Sequence, residues 1–189
     1  YEPSMLMVAL TSRLEPEDTQ NITWLYLPAA KGQIERAMAR SGIADRSDMR
    51  FRFAESMFPD EVDIALDFRR ENIYELNELS LAVNRFSDAD QKKLGAVVAM
   101  AKPECAVQIR HLAENLDQFE FAPGTHTPAE YGKYMIQESG HFDYDPNLDE
   151  FYDYEKYALQ RMEQQSGTFT DRGYISYHGA MSLEELMME

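Results

Sequence analysis

The chain has 189 residues, of which 44% are hydrophobic and 12% aromatic, so it can bury a core and is not a disordered acidic tail. Its 34 acidic and 18 basic residues give a net charge of -16, which argues against direct binding to nucleic acid or anionic membranes and favours basic protein partners. No apolar run reaches the roughly 18–20 residues that span a bilayer, and no secretory signal is visible, so we expect a cytoplasmic protein.

The first third of the chain is predicted to contain strands and one helix. Apolar residues at i, i+3 and i+4 between Ala29 and Gly42 indicate the helix, with Gly42 at its C-terminal cap. We expect Trp24 to be a core residue of the first sheet. The segments with the length and composition of strands are Met5–Leu10, Ile22–Leu27, Met49–Ala54 and Val62–Phe68.

The middle third changes to the 3.6-residue period of helices. Asn72 followed by Glu75 fits a capping box for a first helix, and Ser87 can cap a second. Pro103 ends that second helix and suits the first turn of a third. We therefore expect a compact helical unit over residues 71–116.

The last third returns to mixed structure. A strand is expected at Phe119–Phe121, and Thr127 with Pro128 and Glu130 forms a typical helix start. Further predictions are a helix end near Gly140, a helix over Tyr154–Gln164, a hairpin over Thr168–Tyr177 that turns at Asp171-Arg172-Gly173, and a tail at Met181–Met188 that is either a short amphipathic helix or disordered.

The chain lacks the motifs of common enzyme and metal sites, namely a phosphate-binding glycine loop, HExxH, paired CxxC and GxSxG. Asp145 begins a segment that resembles a calcium loop, but Glu150 replaces the required glycine and Lys156 the final acidic ligand. Cys105 is the only cysteine and is expected to be a small buried residue. We therefore predict a protein without enzymatic activity, cofactor or metal.

The negative charge is concentrated in one stretch of the chain. Residues 104–163 hold 13 acids and 4 bases, whereas residues 1–70 hold 12 acids and 9 bases. Within the dense stretch the acids alternate with aromatic residues, as in Phe142-Asp143-Tyr144-Asp145. Two interpretations are open at this point: a solvated face that improves solubility, or carboxylates that imitate the phosphates of nucleic acid.

Several motifs of the last two thirds resemble the ArdA family of antirestriction proteins, which are carried by conjugative plasmids and transposons. The family's "Y-x-x-E-x-G" helix, "[FY]-x-D-Y-x-x-Y" helix and "G-T-F-x-x-x-G" strand resemble Tyr131–Gly140, Phe151–Ala158 and Gly167–Ile175. The family's "E-L-N-x-L" helix start resembles Tyr74–Leu79. The order and spacing of these motifs make a chance resemblance improbable.

The resemblance implies an α+β fold in an elongated, three-domain chain that forms a homodimer through its C-terminal domain. With the predicted elements, this gives an α+β N-terminal domain at 1–70, a helical domain at 71–116, an α+β C-terminal domain at 117–178 and a tail at 179–189. It also implies that the protein mimics bent B-form DNA and inhibits type I restriction–modification enzymes by occupying their DNA-binding groove. The alternative is an acidic scaffold for another basic, DNA-binding partner.

Under this interpretation, the acids of the C-terminal domain bind the partner in place of phosphates. The residues expected to do so are Asp117, Glu120, Glu130, Glu138, Asp143, Asp145, Asp149, Glu150, Asp153 and Glu155. The helices that carry them also present tyrosines at i, i+3 spacing, namely Tyr131, Tyr134, Tyr154 and Tyr157. These rings either pack against the domain's own sheet or form a self-complementary dimer patch.

Overall fold

The computed structural model describes residues 4–188, without the side chains of residues 53 and 54. Helices hold 48% of the chain and antiparallel sheets 18%, so the fold is α+β, as predicted. The elements of the described part are β1 (Leu6–Ser12), β2 (Thr23–Leu27), α1 (Lys31–Arg40), β3 (Met49–Ser56), α2 (Asp60–Ala65), α3 (Ile73–Val83), α4 (Asp88–Ala101), α5 (Ala106–Glu114), β4 (Phe119–Pro123), α6 (Pro128–Gln137), α7 (Tyr154–Glu163), β5 (Ser166–Thr170), β6 (Gly173–Tyr177) and α8 (Leu183–Met188). Among residues 4–188, none of the helices combines the length and the apolar character that a transmembrane span requires.

The first sheet has the antiparallel order β2-β1-β3, and one of its faces packs on α1. Burial alternates along β2, with Leu25 and Leu27 buried. Because neighbouring side chains of a strand point to opposite faces, Trp24 and Tyr26 lie on the outer face. The prediction that Trp24 is a core residue is therefore wrong, since its side chain is 51% exposed.

The strand predicted at Val62–Phe68 is instead helix α2 followed by a turn. Alternating Val62, Ile64 and Leu66 would share one face of a strand, yet Val62 and Leu66 are buried while Ile64 is exposed. That burial pattern is typical of a helical turn. Pro59 and the acids of the first turn favour a helix start here.

The middle helices begin largely as predicted. The side chain of Asn72 accepts a hydrogen bond from Glu75 N–H at the start of α3, and the side chain of Ser87 accepts one from Asp90 N–H at the start of α4. The third helix, α5, begins only at Ala106, so the prediction that Pro103 lies in its first turn is wrong.

The start of α5 is determined by a contact that is distant in sequence. Ala106 N–H donates to the carboxylate of Glu71 at 2.9 Å, and burial raises the pKa of this carboxyl group. Cys105 lies just before the helix and is only partly buried, contrary to the expectation of a buried residue. The tail forms α8, which packs on α5, with His111 Nδ1 lying 2.7 Å from the Met187 carbonyl oxygen.

The second sheet has the antiparallel order β4-β6-β5 and lies between α4 and the pair α6–α7. Ile175 and Tyr177 belong to the core that includes α4, whereas Tyr174 belongs to the cluster under α6 and α7. Tyr131 of α6 is buried against this sheet, and its ring centroid is 4.3 Å from that of Tyr174. For Tyr131, therefore, the ring packs against the domain's own sheet.

Buried side chains from the first sheet, the helical unit and one face of the second sheet form a single continuous cluster. A smaller second cluster lies under α6 and α7. The predicted division into three domains is therefore not confirmed by separate cores. The accessible surface is 10939 Å², compared with about 9,300 Å² for a compact monomer of this mass.

Gly132→Ala is expected to destabilise the C-terminal part of the chain by about 1–3 kcal/mol, because a Cβ there has no space. It would lie 2.0 Å from the carbonyl oxygen of Tyr154, so α6 and α7 would have to separate. The matched control is Gly32→Ala, whose Cβ would meet only the flexible end of Arg36 at 3.2 Å. In urea denaturation, the free energy of unfolding should fall for Gly132→Ala and stay unchanged for Gly32→Ala. Equal free energies of unfolding for the two variants would contradict the close contact between α6 and α7.

Candidate acidic interaction surface

Helices α6 and α7, with the segment that joins them, carry most of the predicted partner-binding acids. Thr127 caps α6 by accepting a hydrogen bond from Glu130 N–H, as its sequence indicates. The joining segment contains a short 3-10 helix at Pro146–Phe151. We call the ten predicted carboxylates together the acidic face: Asp117, Glu120, Glu130, Glu138, Asp143, Asp145, Asp149, Glu150, Asp153 and Glu155.

The members of the acidic face differ in exposure and in bonding. All are exposed except Glu120, which is partly buried. Within residues 4–188, five of them have no hydrogen bond or ion pair, namely Asp117, Glu138, Asp143, Glu150 and Glu155. These five unpaired acids are the carboxylates most available to a basic partner.

Three other members of the acidic face accept hydrogen bonds from nearby backbone N–H groups. Asp145 accepts from Asn147 and caps the 3-10 helix, and Asp153 accepts from Lys156 and caps α7. Glu130 accepts from His126 N–H at 2.7 Å. Each of these acids stabilises a local turn and leaves its negative charge on the surface.

Glu120 of β4 is paired with a cation. Arg161 of α7 reaches across the sheet and donates to its two oxygens at 2.9 and 3.1 Å. Arg161 also donates to the Tyr131 hydroxyl at 3.1 Å. Because the pair is partly buried and nearly neutral overall, Glu120 offers less free charge to a partner than the other members. The two residues are far apart in sequence, so no local pattern could have revealed the pair.

Asp149 organises the segment between α6 and α7. Its Oδ1 atom accepts hydrogen bonds from the hydroxyls of Tyr144 and Tyr154 and from the side-chain amide of Gln137. The bonds from Tyr154 and Tyr144 lower the pKa of Asp149, and the bond to Asp149 raises the pKa of Tyr144. One carboxylate thus ties the acidic segment to both helices, a role that sequence reasoning missed.

Aromatic rings accompany the carboxylates of this segment. The ring centroids of Tyr144 and Tyr152 are 5.6 Å apart, and those of Tyr152 and Tyr154 are 5.9 Å apart. Phe151 and Leu148 of the 3-10 helix are exposed. The surface therefore combines fixed negative charge with apolar groups. Within residues 4–188, no three His, Cys, Asp or Glu side chains are grouped as a metal site.

The double substitution Tyr144→Phe with Tyr154→Phe should loosen the segment without changing its charge. Removing two donors to Asp149 is expected to speed amide hydrogen exchange at residues 144–152 by about fivefold. Because the pKa of Asp149 is lowered, wild-type protection should persist at pH values above the ordinary Asp pKa of about 3.9 and decline as pH falls through the lower folded value. Tyr26→Phe, on the first sheet, is the control, and unchanged exchange in the double variant would contradict the role of Asp149.

Comparison with known proteins identifies the family of the chain. The chain matches the family model described as "Antirestriction protein (ArdA)" over residues 22–176. No curated protein matches it. The match covers β2 and β3 of the first sheet, the helical unit and nearly all of the second sheet, together with the whole surface that bears the ten acids. The chain therefore belongs to the ArdA family of antirestriction proteins.

Proposed function

We propose that this antirestriction protein mimics B-form DNA and inhibits type I restriction–modification enzymes by occupying their DNA-binding groove. The observation that carries the proposal is the acidic face itself, in which most of the carboxylates lie on the segment that joins the packed helices α6 and α7, and five of the ten are unpaired. A groove that binds DNA is lined with Lys and Arg, and such residues interact with carboxylates through the same charge that attracts phosphates.

The amount of charge is sufficient for such mimicry. Duplex DNA carries one negative charge per about 1.7 Å of its axis. A net charge of -16 on each chain corresponds in a homodimer to about 54 Å of duplex at that density. On the resemblance to the ArdA family, we also propose a homodimer as the active form, acting in the cytoplasm on the enzyme and not on nucleic acid.

The fixed positions of the carboxylates, and not only their number, favour binding to a basic groove. Like charges on a flexible segment would spread apart, whereas the caps at Asp145 and Asp153 and the bonds to Asp149 hold this segment in place. A surface that is ordered before binding loses less conformational entropy when it binds. The exposed Phe151 adds an apolar contact that bases would otherwise provide.

Neutralising the five unpaired acids together should weaken inhibition of a type I enzyme by about 10- to 100-fold, because each exposed charge contributes about 1 kcal/mol or less. The variant carries Asp117→Asn, Glu138→Gln, Asp143→Asn, Glu150→Gln and Glu155→Gln. Fewer engaged charges should also flatten the dependence of inhibition on salt. The assay is DNA cleavage at several salt concentrations, with the fold checked by circular dichroism.

The matched control neutralises five exposed acids that lie outside both the acidic face and the first third of the chain, and it changes the net charge equally: Glu78→Gln, Asp90→Asn, Glu104→Gln, Glu184→Gln and Glu185→Gln. Its inhibition should change by less than about threefold. Equal loss in both variants would mean that only total charge matters. Inhibition that is unaffected by added duplex DNA of any sequence would instead favour a scaffold for another basic partner.

The proposed dimer can be tested by sedimentation velocity. At micromolar concentration the protein should sediment as a dimer, since a self-complementary surface is required for twofold symmetry. Tyr134 and Tyr157 are only partly buried in the second core cluster, and Leu159 on α7 is exposed, so this layer retains apolar surface for a partner chain. A monomer at all concentrations up to about 100 μM would contradict the dimer.

A further inference from the structure

One ion pair joins the first and last thirds of the chain directly. Arg172 donates from Nε and Nη2 to the two carboxylate oxygens of Glu61, at 2.6 and 3.0 Å. Glu61 lies in the first turn of α2, and Arg172 lies in the turn between β5 and β6, 111 positions later. A two-bond pair of this kind restricts direction as well as distance.

The backbone of the middle helix α4 lies against this pair at Gly95. A Cβ at position 95 would be 2.5 Å from Arg172 Nε and 2.9 Å from each carboxylate oxygen of Glu61. Any side chain there would have to displace the pair. Glycine is unfavourable inside a helix, so its presence in α4 is explained by this close approach. The first, middle and last thirds of the chain thus meet at one point.

Both partners of the pair are held in position. Arg172 N–H donates to Thr170 Oγ1 at 3.2 Å, and the Arg172 carbonyl accepts from Gly124 N–H at 2.9 Å. Burial opposes the charge of the Glu61 carboxylate, but the bonds from Arg172 outweigh it and lower the pKa of Glu61. The side chains of Glu61 and Arg172 are only 20% and 28% exposed, which limits screening by salt.

We propose that Glu61 and Arg172 are positioning residues that fix the first sheet relative to the second, and so fix the spacing between the charges of the first third and the acidic face. The apolar contacts of α4 with α2 and with the second sheet are not directional. The ion pair next to Gly95 is directional, because its two hydrogen bonds fix the orientation of α2 relative to the turn between β5 and β6. This inference rests on the proposed function, because the spacing of charges matters only to a surface that must match a DNA groove.

The test compares two single substitutions, Glu61→Gln and Arg172→Gln, with the exchange of both charges in Glu61→Arg with Arg172→Glu. The control is Glu35→Gln, which removes an exposed pair within α1 and makes the same charge change as Glu61→Gln. Nitroxide labels are attached to cysteines introduced at the exposed positions 17 and 160, in a Cys105→Ala background. Pulsed electron–electron double resonance between the two labels then measures the distance between the first and last thirds of the chain. Inhibition of a type I enzyme is measured in parallel.

Each single substitution should broaden the distance distribution and weaken inhibition by about threefold or more. The charge exchange should partly restore the narrow distance distribution and the inhibition, and Glu35→Gln should change neither of these two quantities. If a glutamine variant fails to fold, Arg172→Lys, which keeps the charge without the two-bond geometry, should show the same broadening.

Narrow distributions in the single variants would overturn the positioning role. Broadened distributions with unchanged inhibition would overturn its link to the spacing of charges. If the unsubstituted protein fails to inhibit, the proposed function is contradicted, and the distance measurement alone then decides whether the pair positions the two sheets.

Discussion

Strand β6 is buried on both faces, and the acidic surface depends on it. All of its residues, Gly173–Tyr177, are buried, with Ile175 facing the main core and Tyr174 facing α6. Displacing such a strand would expose apolar surface on two sides at about 25 cal/mol per Å². Because α6 and α7 pack on its second face, Glu130 and Glu155 on these helices and both ends of the acidic segment that joins them are held at fixed positions relative to the rest of the molecule.

The exposed carboxylates of this surface, which exclude Glu120, have two distinct physical roles. One group, which includes Asp145, Asp149 and Asp153, accepts hydrogen bonds from backbone N–H groups or tyrosine hydroxyls and holds the segment in shape. The other group has no internal partner and repels its neighbours. The hydrogen bonds of the first group offset this repulsion, so a dense negative surface can remain ordered without neutralising most of its charge.

Local signals predicted most elements, and non-local contacts account for what was missed. The caps at Asn72, Ser87 and Thr127 lie where the sequence indicated, because capping involves residues three positions apart. The strand at 62–68 was predicted wrongly because a short apolar run is compatible with both the two-residue period of a strand and the 3.6-residue period of a helix. Charge density led to the prediction of the acidic face, but the pairing of Glu120 with Arg161 depends on how α7 packs on the sheet, so local sequence reasoning could not show it.

The outward position of Trp24 has a spectroscopic consequence. It is the only tryptophan of the chain, and half of its side chain is exposed on the outer face of the first sheet. Its fluorescence therefore reports on the first third of the molecule, whereas the tyrosines around Asp149 belong to the acidic face. Excitation of the indole alone therefore gives an intrinsic probe of the first third with no label required, whereas tyrosine emission also includes Tyr26 and Tyr74 outside the acidic face.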